Sequence, residues 1–404
     1  MSKRSIAVLV ACFFTVLAAF SIRYSYGTLL PEMLPALSIT KAEAGIIYSS
    51  YFIAYTVLSP ILGIMSDRFD MRIILAVFMA VMGIGTFLMQ YPTSMIQASL
   101  FFTIAGIGCS ACWAPVVTLA QRWISAKRRG LGLSLIDAGS SLGIIVAGTL
   151  IPLVVASSGW QKGWMVLGVM GLLLSLVNYV FIRSSPDNTA NLKTDRSAAT
   201  DKNLRQNYLA ILKDKQFWYI GFAYLLTGFA IIIPFTFLST YGVQEMAISY
   251  ESSTLLITII GIGAVTGKLT LGPASDSVGR IKVLVLCAVL IAGGCLGIAY
   301  GSGGRLLMIV CFVYGTGYGA CWALYAACAM DFFPKQYAGG IIGLWTFFLG
   351  TGCICGPIIT GWAADVTGTL KWSFVMAGIA GVISLIFLLP MLKASQVGMV
   401  KSQP

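Results

Sequence analysis

The chain has 404 residues, of which 58% are hydrophobic and only 10% charged, with a mean hydropathy of +0.89. A water-soluble globular protein averages about 45–50% apolar and about 25% charged residues, so water is excluded as the main solvent of this chain. The formal net charge of +12 comes without a basic groove or a base-reading motif, which excludes nucleic acid as an expected partner.

A bilayer span needs about 20 apolar residues. Twelve such runs lie between charged or Pro/Gly-rich breaks, at 5–30, 43–65, 72–90, 95–121, 130–156, 162–183, 216–240, 252–273, 282–300, 305–330, 338–363 and 372–393. The first, MSKRSIAVLVACFFTVLAAFS, has the basic start and apolar middle of a signal peptide. Eleven runs follow it, so it is read as a span and not as a removed address. Between the sixth and seventh runs the segment from Ser184 to Gln216 is polar and charged throughout. The reading is an all-α membrane protein of twelve transmembrane helices: a six-helix bundle at 1–183, a cytoplasmic linker at 184–215 and a second six-helix bundle at 216–404.

Orientation follows from the basic residues. Lys3, Arg4, Arg68, Arg72, Arg122, Lys127, Arg128, Arg129, Arg183, Arg280, Lys282, Lys335 and Lys393 fall on one set of alternating span ends, together with the charged middle segment. The other set holds Lys41, Lys162, Arg305 and Lys371. The positive-inside rule then places both termini in the cytoplasm, in a cytoplasmic membrane, and explains most of the positive charge as topology.

All ten cysteines fall inside apolar runs and the chain has no histidine. Cys109-x-x-Cys112 has metal-like spacing, but without a second pair or a histidine it is read as packing, with no metal site. No nucleophile–base arrangement and no phosphate loop is found, so neither an enzyme nor a cofactor is expected.

The two halves repeat at a constant offset of 209 residues. Gly63-x-x-Ser66-Asp67 recurs as Gly272-x-x-Ser275-Asp276, and Gly106-x-Gly108-x-x-Ala111-Cys112-Trp113-Ala114 recurs as Gly315-x-Gly317-x-x-Ala320-Cys321-Trp322-Ala323. Gly85, Gly130 and Gly143 map to Gly294, Gly339 and Gly352. With six spans per half, both halves share one orientation and are related by an axis along the membrane normal.

The stretch Gly63-Ile-Met-Ser-Asp67-Arg68-Phe-Asp-Met-Arg72 resembles the signature loop of the major facilitator superfamily, and Gly272-Pro-Ala-Ser-Asp276-Ser-Val-Gly279-Arg280 its second-half copy. Physically, the glycine is expected to let helices approach, the aspartate to sit at a helix start, and the arginine to hold a tight turn. The resemblance implies two bundles rocking about a central cavity lined by spans 1, 4, 7 and 10, with spans 2, 5, 8 and 11 between the halves. Within the superfamily, Gln121-Arg122-Trp123-x5-Arg129-Gly130 and Gly267-Lys268-Leu-Thr-Leu-Gly272 are similar to segments of the monocarboxylate transporters and oxalate/formate antiporters. The chain departs from them in carrying lysine at 268 where arginine is usual, and Ala264 where monocarboxylate carriers place an aspartate.

Three ionisable residues lie well inside the spans: Arg23, Asp137 and Lys268. An intramembrane charge costs at least a few kcal/mol, so it faces a cavity or a partner unless it snorkels. Arg23 and Lys268 are long enough to snorkel; Asp137 is not, and its structural alternative is a local hydrogen bond. Asp137 lies eight residues beyond Arg129 and Lys268 eight before Asp276, each roughly 12 Å from a membrane face at 1.5 Å per residue. Their depths match, and since the superfamily resemblance implies that spans 5 and 8 meet between the halves, the two are expected to pair there, leaving Arg23 as the unpaired cation. Tyr314, Tyr318, Trp322 and Tyr325 form one stripe on span 10; Trp113 holds the matching place on span 4, and Tyr26 lies near Arg23. Such stripes are packing or cavity lining.

The expected function is secondary transport of a small organic anion, a monocarboxylate moved with a proton, by a monomer in the lipid bilayer. Arg23, Tyr26, Trp113, Lys268, Tyr318, Trp322 and Tyr325 are the expected substrate contacts, and Asp137 with Lys268 the proton site. Gly63, Asp67, Arg68, Arg72, Gly272, Asp276 and Arg280 are the expected structural motif. The alternatives are an oxalate/formate-type exchanger, with sulfonates and aromatic acids as other cargo, and a transporter-like membrane sensor.

Overall fold

A computed structural model describes residues 3–65, 69–124, 129–183, 210–301, 304–334 and 337–401. Thirteen helices are found among them: α1 (Lys3–Leu37), α2 (Lys41–Met65), α3 (Met71–Leu88), α4 (Met95–Cys109), α5 (Ala114–Trp123), α6 (Arg129–Ser158) and α7 (Trp160–Phe181), then α8 (Lys215–Gln244), α9 (Tyr250–Val278), α10 (Arg280–Tyr300), α11 (Gly304–Phe332), α12 (Ala338–Thr367) and α13 (Lys371–Lys401). They make twelve membrane-length segments, because α4 and α5 together form the fourth. Most of the expected linker, residues 184–209, lies outside the described residues, as do Asp67 and Arg68.

The helix ends follow local chemistry. Asp70 accepts from Arg72 N (2.9 Å) at the start of α3, Asp214 from Gln216 N (2.9 Å) at α8, and Ser249 from Ser252 N (3.3 Å) at α9, each satisfying a donor that the first turn leaves free. Gly279 stands between α9 and α10 at φ +105°, a conformation closed to most side chains. Several helices run past the expected span ends; α1 extends to Leu37 through Pro31 and Pro35. The fourth span does the reverse and breaks between Cys109 and Ala114.

The sequence repeat reappears as paired contacts. A Cβ on Gly106 would overlap the backbone of Tyr51, and one on Gly315 the backbone of Ile260; both members of the pair are related by the same offset. Gly85 against Ala105 is likewise matched by Gly294 against Tyr314. Small residues thus set helix spacing where lipid offers no hydrophobic drive for association. Large apolar side chains such as Leu131, Leu153, Leu176, Ile309, Val366 and Ile386 face outward, the inverse of a soluble protein.

Helices α1–α7 and α8–α13 each pack among themselves, and the main pairs that join them are α2 with α12, α6 with α9, and α1 with α8, with a smaller contact of α1 with α9. At the end of the bundle away from the termini the join is tight. Gly27 leaves no room for a Cβ beside the Phe235 carbonyl, nor Gly361 beside Lys41, and Tyr250 Oη donates to Thr28 O (2.9 Å). Asp365 of α12 accepts from the Lys41 and Ala42 amides (3.0 and 2.8 Å), capping α2 of the other half. Lys41 Nζ reaches Glu245 (3.4 Å), which also accepts from Leu370 N (2.6 Å) and from the Thr369 hydroxyl. Toward the other end α5 packs on α1, α2, α3 and α6 of its own half. Replacing Gly27 by leucine is expected to leave each half folded yet exclude this closed end, since only the α1–α8 contact meets the new side chain. Spin labels at Ala36→Cys and Gln244→Cys, on the exposed rim, would read a longer distance in Gly27→Leu than in the parent; an unchanged distance would show that the contact has slack.

Candidate functional site

Arg23 lies midway along α1 and is 3% exposed. Its guanidinium stands over four rings, at 4.9 Å from Phe20, 5.6 Å from Tyr51, 5.4 Å from Phe52 and 4.7 Å from Tyr55. Phe20 shares its helix face by i,i+3 spacing, and Tyr51 and Tyr55 share one on α2 by i,i+4. One Nη donates to Cys109 Sγ (3.2 Å), so that cysteine accepts a charged hydrogen bond in addition to packing. The Nε has no partner, and among the described residues no carboxylate pairs with the group. Cation–π contacts are worth about 0.5–2 kcal/mol each, against several kcal/mol for removing an ion from water. Four rings and the sulfur together offset a cost of that size, but none of them carries the opposite charge. Arg23 is enclosed and does not snorkel.

Tyr26 is not brought to it. Its hydroxyl donates to Ala44 O (2.7 Å) and its ring stacks on Tyr48 (4.8 Å) and Phe102 (5.3 Å), because position 26 turns toward α2 and α4. Tyr24 takes the place expected of Tyr26. Its hydroxyl shares a 2.7 Å hydrogen bond with Tyr318 Oη of α11, a direct bridge between the halves, and its ring packs on Phe235 (4.1 Å). Sequence reasoning passed over Tyr24; its four-residue spacing from Phe20 was the available signal.

The stripe on α11 divides. Tyr314 donates to Ile231 O (2.6 Å), and Tyr325 pairs with Thr227 (2.9 Å) while stacking on Tyr224 (4.1 Å), so both serve packing against α8. Tyr318 faces the seam through Tyr24. Trp322 is partly exposed, edge-on to Tyr318 and Tyr224, with an Nε1–H that has no acceptor. Its counterpart Trp113 is 36% exposed, at the break in the fourth span.

Asp137 of α6 and Lys268 of α9 meet at 2.8 Å across the two halves, as their equal depth and the contact of spans 5 and 8 implied by the resemblance lead one to expect. Lys268 Nζ also donates to Asp137 O (3.1 Å) and Ser140 Oγ (2.7 Å), and Ser140 Oγ stands 3.2 Å from Asp137 Oδ1. The pair is not sealed: the Asp137 side chain is 32% exposed and that of Lys268 19%. Gly267 lets α9 lie against Thr316 of α11.

The described motif residues correct part of the sequence reading. A Cβ on Gly63 or Gly272 would meet nothing within 4 Å, so these two glycines set no close approach; the tight contacts lie at other glycines, deeper in the bundle. Asp276 is in the last turn of α9, not at a helix start. That end of the helix dipole repels it, and Arg280 at the start of α10 compensates at 3.2 Å while also holding Asp331 at 2.6 Å. Arg72 reaches across to α7, its Nε donating to Tyr179 O and its guanidinium lying 4.0 Å over the Tyr179 ring.

Two pseudo-symmetric six-span bundles meet along a seam, and the first of them buries a cation that pairs with no carboxylate among the described residues. The Major Facilitator Superfamily profile matches residues 12–350 and 244–402. The chain belongs to that superfamily. It is similar to the hexuronate transporter of Bacillus subtilis (strain 168), at 24% identity over 395 residues, covering 93% of this chain and 92% of the relative. It is also similar to monocarboxylate transporter 12 of Xenopus laevis, at 21% identity over 404 residues, 94% of this chain and 87% of the relative. Among solved structures, that of the nucleoside transporter NupG (D323A mutant) superposes with a TM-score of 0.80 at 17% identity, covering 95% of this chain and 99% of that one, a likeness of fold. The protein is a multi-pass membrane protein and a secondary transporter.

Proposed function

We propose that the protein carries a small organic monoanion across the cytoplasmic membrane by alternating access, in symport with a proton. The observation that carries this reading is Arg23: a buried guanidinium next in sequence to the Tyr24–Tyr318 bridge, held by rings and a sulfur and paired with no carboxylate among the described residues. With Lys268 matched by Asp137, about one positive charge is left to balance in a low-dielectric site, which favours a monoanion over a dianion. The likeness to a hexuronate transporter agrees, since a hexuronate is itself a monocarboxylate.

In this reading Arg23 binds the carboxylate, Trp113, Trp322, Tyr318 and Tyr24 contact the rest of the solute, and Tyr26 and Tyr325 support that wall from behind. Asp137 and Lys268 form a gate between the halves and take up the coupled proton. With both termini in the cytoplasm, the closed end faces outward and this conformation opens inward. The protein works as a monomer, because each half finds its partner within one chain. The test is counterflow in proteoliposomes with mono- and dicarboxylates at two pH values. Uptake of a monocarboxylate stimulated by an inward proton gradient is expected. Strict dependence on internal solute would indicate exchange, and binding without flux a sensor.

A further inference from the structure

The fourth and tenth spans are repeat partners, yet only the fourth is broken. Positions 110–113 form turns, whereas the matching positions 319–322 are continuous helix in α11. The repeat differs just beyond the break: Pro115 stands where the second half has Leu324. A proline inside a helix lacks the N–H for the carbonyl four residues back, here that of Ala111, and its ring clashes with it. The chain therefore stops α4 at Cys109, turns tightly with Cys112 N donating to Cys109 O (2.9 Å), and starts α5 with proline in its first turn, where proline is tolerated.

Starting a second helix at membrane depth leaves donors free. Val117 N donates to Trp113 O (2.9 Å), but among the described residues the N–H groups of Trp113, Ala114 and Val116 have no backbone acceptor in good geometry. Val116 is fully buried, and a buried N–H without an acceptor is rare. Irregular backbone in a span is tolerated where it lines a cavity or is covered by protein. The buried face of α5, Val116, Leu119 and Ala120, belongs to one apolar cluster with Val8, Cys12 and Val16 of the neighbouring α1, all of which precede Arg23 in that helix. The guanidinium is anchored to Cys109 at the other lip of the break, five residues before α5 begins, and its buried Nε is unpartnered.

The geometry points to an oxyanion subsite formed jointly by the start of α5 and Arg23. One oxygen of a carboxylate or sulfonate takes the free N–H groups of the first turn of α5, where the helix dipole also favours negative charge, and the other takes Arg23. Trp113, exposed at the helix start, covers the occupied site. This subsite rests on the organic-anion reading above and adds that the backbone, through Pro115, shares the charge recognition with Arg23.

The sequence allows a direct test, because Pro115-Val116 is its only Pro–Val step. Full-length protein labelled with 13C-carbonyl proline and 15N-valine therefore shows a single carbonyl-selected amide signal, that of Val116. The probes are D-glucuronate, L-lactate and sulfoacetate, with D-glucose as the uncharged control. The expected result is a downfield shift of the Val116 amide proton with at least one anion and none with glucose, saturating together with anion-induced thermal stabilisation. Lactate or glucuronate as the active probe marks a carboxylate site, sulfoacetate a sulfonate site. Pro115→Leu, which copies the second half and gives the donors intrahelical acceptors, should lose at least tenfold in affinity for that anion. An anion that stabilises the parent but not Arg23→Ala, while leaving the Val116 signal unmoved, overturns the subsite and leaves the carrier reading standing. If no anion of the panel stabilises the chain, both fall together.

Discussion

Arg23→Ala is expected to abolish binding of the transported anion while leaving a folded, correctly inserted protein. The guanidinium makes no ion pair whose loss would strand a carboxylate among the described residues, so truncation removes a charge without creating a new unpaired one. The rings of Phe20, Tyr51, Phe52 and Tyr55 remain to fill the site. A hydrogen bond to a charged group contributes about 1.5–3 kcal/mol, so loss of two such bonds lowers affinity by roughly a hundredfold or more at about 1.4 kcal/mol per decade. Arg23→Lys keeps the charge but loses the planar fork, and should retain binding about tenfold weaker or more. Binding measured by thermal stabilisation, alongside counterflow, separates the two variants. Near-parental affinity in both would return Arg23 to a purely structural cation.

Asp137→Asn is expected to uncouple transport from the proton gradient: exchange of labelled for unlabelled anion persists, and accumulation driven by an inward proton gradient is lost. The amide mimics a protonated carboxyl, and Lys268 keeps its bonds to the 137 carbonyl and to Ser140, so the α6–α9 contact survives the change. In the proposed reading, the partial exposure of the Asp137 side chain, 32%, is where the proton would enter the pair. Lys268→Ala removes three contacts at once and leaves Asp137 unmatched between the halves, so both exchange and accumulation should fall. Gradient-driven accumulation by Asp137→Asn at the parental level would exclude Asp137 as the proton site and leave the pair as a latch between halves.

Much of the architecture was legible in the chain because membrane burial imposes long, contiguous signals. Apolar runs of about 20 residues are a one-dimensional property, and they located all twelve spans to within a few residues apart from helix extensions such as α1 to Leu37 and α9 to Val278. The 209-residue repeat was readable for the same reason: glycines such as Gly106 and Gly315 are required wherever two helices touch in each half. Rarity made the three intramembrane charges visible, and equal distance from charged span ends, together with the contact of spans 5 and 8 that the family resemblance implies, was enough to pair Asp137 with Lys268.

Only the tertiary structure decided which way each side chain on a span faces. Tyr26 and Tyr24 are two residues apart on one helix, about 200° around its axis, and composition cannot say which of the two faces meets the other half. Packing assigns Tyr26 to α2 and α4 and Tyr24 to Tyr318. Long-range closure likewise decided the cap that Asp365 places on α2 and the contact of Lys41 with Glu245, since 324 and 204 residues separate the partners. The break at Cys109–Ala114 falls between these cases. Pro115 determined locally that the helix could not run straight, but whether the chain would kink or stop depended on the packing of α1 against α5 and on the contact of Arg23 with Cys109.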